Sequence, residues 1–260
     1  MKAKDLMSRE VASIDKDERL ETTLETMRKR RVSKLVVLEK GHLVGLITTG
    51  DIADELGAIK NRGVPATHLH ASSAMRRQVP TCAPETEAAQ IVRTMLDEDI
   101  ALMPVVHDRD VVGVVTMSDL VRHVDGGPRT LDSIMSAKLH VVEPSDRVIH
   151  ARRLMIDHHI ERLPVLDNGK LAGILGESDV AFGFARFKSE VKDSHQPAAI
   201  QRFLVEDIFQ QQVVTAPPEM TVKDAATRMR DNDVGSLPVV RGDRVVGIVT
   251  RTDLVPFARV

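Results

Sequence analysis

Four stretches of the chain put a hydroxyl and a carboxylate where an apolar run ends: Gly45-Leu-Ile-Thr48-Thr-Gly-Asp51, Gly113-Val-Val-Thr116-Met-Ser-Asp119, Gly173-Ile-Leu-Gly176-Glu-Ser-Asp179 and Gly247-Ile-Val-Thr250-Arg251-Thr-Asp253. Each reads as a buried strand running into the first turn of a helix. An aspartate there can accept both hydroxyls of a ribose cis-diol, and each charge-assisted hydrogen bond is worth about 1.5–3 kcal/mol. The threonine can bond to ribose or phosphate oxygens, and the helix N-terminus offers free N–H groups and a positive dipole end to an anion. The competing reading is purely local: the aspartates favour a first helical turn, with Ser118, Ser178 and Thr252 as N-caps. Recurrence of Thr with Asp in three copies out of four favours a ligand seat. Asp179, whose copy carries Gly176 and Glu177, stays with the local reading.

The elements that must position these corners repeat. Walking back 44 residues from each aspartate reaches Met7, Met75, Met135 and Phe209. Without a gap, Met27, Met95, Met155 and Met229 share one column, and Val32, Ile100, Ile160 and Val234 another. Leu35, Met103, Leu163 and Leu237 share a third, followed by Val36, Pro104, Pro164 and Pro238. The spacers vary instead: 24 residues from Asp51 to Met75, 16 from Asp119 to Met135 and 30 from Asp179 to Phe209. Such periodicity marks a repeat architecture. The repeats are bounded as residues 1–60, 61–127, 128–192 and 193–260.

Within a unit the patterns predict β-α-β-β-α, an α/β class. A short first strand such as Val213-Val-Thr215 is stopped by proline (Pro84, Pro144, Pro217). The helix over 221–230 carries Val222, Ala225, Ala226 and Met229 at helical spacing, with Thr221 as N-cap. Two β-rich runs follow, joined in repeat 3 by Asp167-Asn168-Gly169-Lys170, whose Asn-Gly supplies the positive φ angles of a tight turn. A single unit of about fifty to sixty residues is marginal alone, so pairs of repeats are expected to share a core. Two spacers also read as helical, from Asp51 to Leu56 and from Asp179 to Val191; the second bears Phe182, Phe184 and Phe187, expected to pack between repeats 3 and 4.

Bulk composition narrows the function classes. With 36 basic and 38 acidic residues, no global field draws the chain to nucleic acid or anionic membrane. Six Phe, no Trp and no Tyr leave few platforms for base stacking. The lone Cys82 excludes an intrachain disulfide and a Cys-rich zinc site and suits a reducing cytosol. The N-terminal residues lack an apolar targeting core, and no apolar run approaches a membrane span, so a cytoplasmic protein is expected. His68-x-His70 and His158-His159 lack zinc-site spacing, so no metal is expected. No nucleophilic triad, carboxylate pair or Walker motif occurs, so an enzyme is not expected. Arg28-Lys29-Arg30-Arg31 reads as a helix C-terminus complemented by cations, with polynucleotide binding as the alternative. Arg76-Arg77 lies beside a repeat start, within reach of a ligand phosphate.

The four starts, the hydrophobic-Pro-Val segments (Leu163-Pro164-Val165, Leu237-Pro238-Val239) and the Gly-x-x-Thr-x-x-Asp corners together resemble the CBS domain, the cystathionine β-synthase module, over nearly the whole chain. The resemblance implies pairing of repeats 1 with 2 and 3 with 4 into two Bateman modules, assembled as a disc as in the γ subunit of AMP-activated protein kinase. It also implies a regulatory sensor of adenosyl ligands (AMP, ADP, ATP or S-adenosylmethionine) acting on a separate protein or through a homodimer. The alternative is an interaction scaffold with vacant clefts.

On that resemblance, Thr48, Asp51, Thr116, Asp119, Thr250, Asp253 and Arg251 would hold ribose and phosphate. Ser13, Thr81 and Thr215 would add first-strand hydroxyls, and Lys34 and Arg162 phosphate contacts. Cross-pairing sets Asp51 opposite Thr81, Asp119 opposite Ser13, Asp253 opposite Val141 and Asp179 opposite Thr215. The Asp179 site is expected to be empty or to take an uncharged adenosyl group, and the first pair to bind best.

Overall fold

The computed structural model describes residues 1–58 and 68–260; the boundary drawn between residues 60 and 61 lies outside the described residues. Repeat 1 comprises α1 (Ala3–Leu6), β1 (Ser13–Asp15), α2 (Leu20–Arg30), β2 (Lys34–Glu39), β3 (His42–Thr48) and α3 (Thr49–Gly57). Repeat 2 supplies α4 (Ala71–Ala74), α5 (Ala88–Asp97), β4 (Leu102–His107), β5 (Asp110–Thr116) and α6 (Met117–Val121). Repeat 3 supplies α7 (Val148–His158), β6 (Arg162–Asp167), β7 (Lys170–Gly176) and α8 (Glu177–Glu190). After α9 (Gln196–Ala199), repeat 4 supplies α10 (Val222–Asp231), β8 (Ser236–Arg241), β9 (Arg244–Thr250) and α11 (Arg251–Leu254).

The mixed α/β class and the two helical spacers hold. The first strand is reduced: only β1 pairs over several residues, parallel to β2, whereas Cys82, Val142 and Ala216 each make a single parallel bridge, to Val105, Val165 and Val239. Prolines within two residues, lacking an N–H, stop each of these ladders. The β6–β7 turn has Asn168 at φ 49° and Gly169 at φ 77°, as a two-residue type I′ connection requires.

The helices form for the expected reasons. Leu20, Leu24 and Met27 bury one face of α2, and its last turn carries Arg28, Lys29 and Arg30 against the negative dipole end. Met27, Met95, Met155 and Met229 are all buried. In α10 the Thr221 hydroxyl accepts from the Asp224 N–H at 3.1 Å. Thr221→Ala is therefore expected to cost about 1 kcal/mol; an unchanged urea midpoint would contradict that cap.

Each repeat's opening segment crosses to its partner repeat. Ser8 bridges Val114 of β5, Arg76 bridges Leu46 of β3, Ser136 bridges Ile248 of β9 and Gln210 bridges Ile174 of β7. The crossing explains the corner glycine: a Cβ on Gly113 would lie 2.6 Å from Met7 Sδ, and one on Gly247 2.5 Å from Met135 Sδ. The start methionine and the corner glycine are thus two halves of one contact between repeats.

Pairing of 1 with 2 is sealed where β2 and β3 meet β4 and β5, burying Val36, Leu46, Leu102 and Val114. The two main cores then run across the pairs, one joining repeats 1 and 3 and the other repeats 2 and 4. Helix α3 packs on α8, and α6 on α11. The ring therefore closes 1–2–4–3. The aromatic stripe of α8 packs between repeats 3 and 4 as expected, and it also reaches repeat 1. Phe184 and Phe187 meet Phe203 of repeat 4, and Phe184 also packs against Gly57 of repeat 1. A 14-residue helix is long enough to reach both neighbours.

Candidate functional site

All four aspartates sit at the third helical position after an N-cap, and the cap is Thr48, Thr116, Gly176 or Thr250. Ser118, Ser178 and Thr252, the caps expected from sequence, lie two residues past the observed caps. The Thr116 N–H and hydroxyl donate to Asp119 Oδ2 at 2.9 and 2.7 Å. The Thr48–Asp51 pair repeats this at 2.8 and 2.7 Å, and Thr250–Asp253 at 2.7 and 2.8 Å. In repeat 3 only the Gly176 N–H donates to Asp179 Oδ2, at 2.8 Å. Capping and ligand binding are thus not alternatives. One carboxylate oxygen serves the helix, and the other is left for a further partner.

The second oxygens differ. Arg76 Nε donates to Asp51 Oδ1 at 3.0 Å, and Gln210 Nε2 donates to Asp179 Oδ1 at 2.7 Å. Opposite Asp119 and Asp253 the equivalent positions hold Ser8 and Ser136, and among the described residues no side chain donates to either Oδ1.

A cavity of about 310 Å³ opens on Asp119 and is walled by all four repeats. Repeat 2 gives Thr116 to Asp119; repeat 1 gives Ser8, Glu10, Ala12, Arg31 and Lys34; repeat 3 gives Glu161 and Arg162; repeat 4 gives Thr250, Arg251 and Thr252. A second cavity of about 220 Å³ lies at Asp179, walled by Gln210, Gln212, Val214, Glu177 and, from repeat 1, Thr48 and Thr49. The two share Lys34, Glu161, Arg162, Asp233 and Gly235 as a common wall at the centre of the ring.

Charge at that centre is mixed. Arg162 pairs with Glu161 at 3.2 Å; Arg251 donates to Ser118 Oγ at 2.6 Å and lies 3.8 Å from Asp233. Among the described residues Lys34 makes no ion pair, its ammonium reaching only Ser33 Oγ at 3.4 Å. Burial alone would raise the Glu161 carboxyl, but Lys34, Arg162 and Arg251 hold it below the ordinary range. Burial, then neighbouring Arg162, lowers the Arg251 guanidinium. Burial, reinforced by Glu161, pushes Glu177 up to about 7. Burial also raises Asp179 despite its bonds from Gln210 and Gly176.

Of the residues singled out from sequence, Lys34, Thr116, Asp119, Arg162, Thr250 and Arg251 meet around the larger cavity, and Lys34, Thr48, Arg162 and Asp179 around the smaller. Asp51 is bonded to Arg76, and Asp253 lines neither cavity. Arg251 serves the corner of repeat 2 rather than its own, because α11 packs on α6. Ser13, Thr81 and Thr215 line neither cavity. The wall residues these segments supply are Ser8, Glu10 and Ala12 at the larger cavity and Gln210, Gln212, Val213 and Val214 at the smaller. Ser8 and Gln210 were missed; their signal was adjacency to the start residues Met7 and Phe209. His140 and His158 stack at 3.8 Å, and no cluster of three metal-ligating side chains occurs among the described residues.

A family model for the CBS domain matches four stretches, residues 3–58, 71–126, 131–185 and 205–258. Protein MJ1225 of Methanocaldococcus jannaschii is 26% identical over 256 residues, with 90% of both chains covered. Its crystal structure, for which homology to γ-AMPK has been suggested, superposes with a TM-score of 0.86 at 23% identity, covering 99% of both chains. A conserved protein of Pyrococcus horikoshii superposes with a TM-score of 0.61 at 22% identity, covering 98% of this chain and 99% of the other. These likenesses establish the fold.

Proposed function

Since this chain belongs to the CBS-domain family, with four CBS repeats, we propose that it is a regulatory sensor that binds an adenine nucleotide or another adenosyl compound at Asp119. One observation carries the reading: a single cavity, walled by all four repeats, combines a carboxylate with an uncommitted oxygen and a lysine that has no ion-pair partner among the described residues. Asp119 Oδ1 takes the ribose diol. Lys34, with Arg31, Arg162 and Arg251, takes the phosphate end. The aliphatic wall, including Ala12, Val32, Leu102 and Val114, suits a flat base in a chain without Trp or Tyr.

A ligand touching all four repeats binds one arrangement of the ring better than another, and only that difference can shift the equilibrium. The output is then read by a separate partner protein in the cytoplasm, or by a second copy. Binding, not turnover, is the proposed activity. No helix among the described residues is long and apolar enough to cross a membrane.

A thermal-shift panel with AMP, ADP, ATP and S-adenosylmethionine tests the reading. A ligand at 100 times its Kd adds about 2.7 kcal/mol of stability, a rise of several degrees in Tm. No shift with any of the four would favour a scaffold with vacant clefts.

A further inference from the structure

The two carboxylates that already hold a side chain stand in repeats 1 and 3, and the two that do not stand in repeats 2 and 4. The difference comes from one position, the residue immediately after each repeat's start, which crosses to the partner repeat and bridges its second hairpin strand. Where that residue is Ser8 or Ser136 it is too short to reach the carboxylate. Where it is Arg76 or Gln210 it spans the gap and donates to Oδ1 at 3.0 or 2.7 Å.

Resting on the adenosyl reading above, we propose that Arg76 and Gln210 are internal latches that occupy the diol-accepting oxygen of Asp51 and Asp179, leaving Asp119 as the seat that fills first. The chemistry is competitive. A guanidinium N–H or an amide N–H takes the same oxygen that a ribose hydroxyl would take, and as part of the chain it pays no cost of association. Ligand can enter only by displacing a hydrogen bond to a charged group, which lowers the apparent affinity of a latched seat ~10-fold or more. At Asp179 the cavity itself is formed, and Gln210 is one of its walls. The seat is therefore closed by a side chain rather than by lack of space.

The test exchanges the latch for the serine found in the other two repeats. Both side chains are exposed, Arg76 at 55%, and their strand-like bridges are made by backbone, so Gln210→Ser and Arg76→Ser leave the fold in place. Equilibrium dialysis against AMP, and in parallel against adenosine, counts sites per chain. The expected result is one more site in Gln210→Ser than in the unsubstituted chain, removed again by Asp179→Asn, and likewise one more in Arg76→Ser, removed by Asp51→Asn. An unchanged site count in both variants, whatever that count is, overturns the latch. So does binding to the unsubstituted chain that Asp179→Asn abolishes. Loss of binding in Asp119→Ala speaks instead to the parent reading. If the unsubstituted chain binds no AMP while Gln210→Ser gains a site, the latch stands and the assignment to Asp119 falls.

Discussion

Asp119→Ala is expected to weaken AMP binding by at least ~100-fold while leaving a cooperatively folded protein. The carboxylate would accept two ribose hydroxyls, and charge-assisted hydrogen bonds contribute about 1.5–3 kcal/mol each, so losing both costs at least about 3 kcal/mol, which crosses that threshold. The same side chain caps α6, its Oδ2 receiving the Thr116 N–H and hydroxyl. A stability loss of about 1 kcal/mol therefore accompanies the change. Asp119→Asn separates the two roles, because its amide oxygen still accepts from the Thr116 N–H while its charge is gone. Titration calorimetry should show binding lost in both variants and stability lost mainly in the alanine. Undiminished AMP affinity in Asp119→Ala would refute the assignment.

Glu177→Gln is expected to stabilise the protein by about 2–3 kcal/mol above pH 7 and to do nothing below pH ~4.5. Glu177 is wedged against the backbone of Gly50 where α8 meets α3. Burial comes first among the causes that lift it to about 7, followed by Glu161, with Lys34 partly opposing and Asp51 and Asp54 adding smaller repulsions. A carboxyl raised in the folded state favours the fold while protonated. That advantage is fully present below the unfolded value near 4.5 and is lost as the pH rises through about 7. Glutamine keeps the shape without the charge, so the variant's stability profile should run flat where the wild type falls. Parallel urea profiles from pH 4.5 to 8 would show that solvent relieves the burial.

The same carboxylate bears on ligand choice. Glu177 faces the Asp179 cavity, while the Asp119 cavity carries Met117 in that column and draws on Arg251 from across the ring. The inequality between the two cavities was visible in the sequence as Glu177 and Gly176 in an otherwise uniform corner. The donor of the compensating cation was not.

What could be read and what could not divide along physical lines. The 44-residue frame, the methionine columns and the Thr–Asp corners are local patterns, and local patterns specify strands, caps and buried faces directly. The cross-over of Met7 onto Gly113 was hidden although both residues were in view, because nothing in either neighbourhood states its partner. The first-strand hydroxyls line neither cavity. Ser13 and Thr215 stand one residue beyond Ala12 and Val214, the last residues of their segments to line a cavity. The α8 aromatics meet Phe203 of repeat 4, as their place between repeats 3 and 4 suggests, but their second contact, at Gly57 of repeat 1, depends on how the pairs close into a ring. That Arg251 reaches Ser118 at the corner of repeat 2 depends on the same closure.

A crystal of the protein grown or soaked with AMP tests the central claim most directly. The account predicts one nucleotide in the cavity walled by all four repeats, its ribose hydroxyls on Asp119 Oδ1 and its phosphate beside Lys34, Arg162 and Arg251. AMP seated at Asp51 or Asp179 with the Asp119 cavity open to solvent would contradict it.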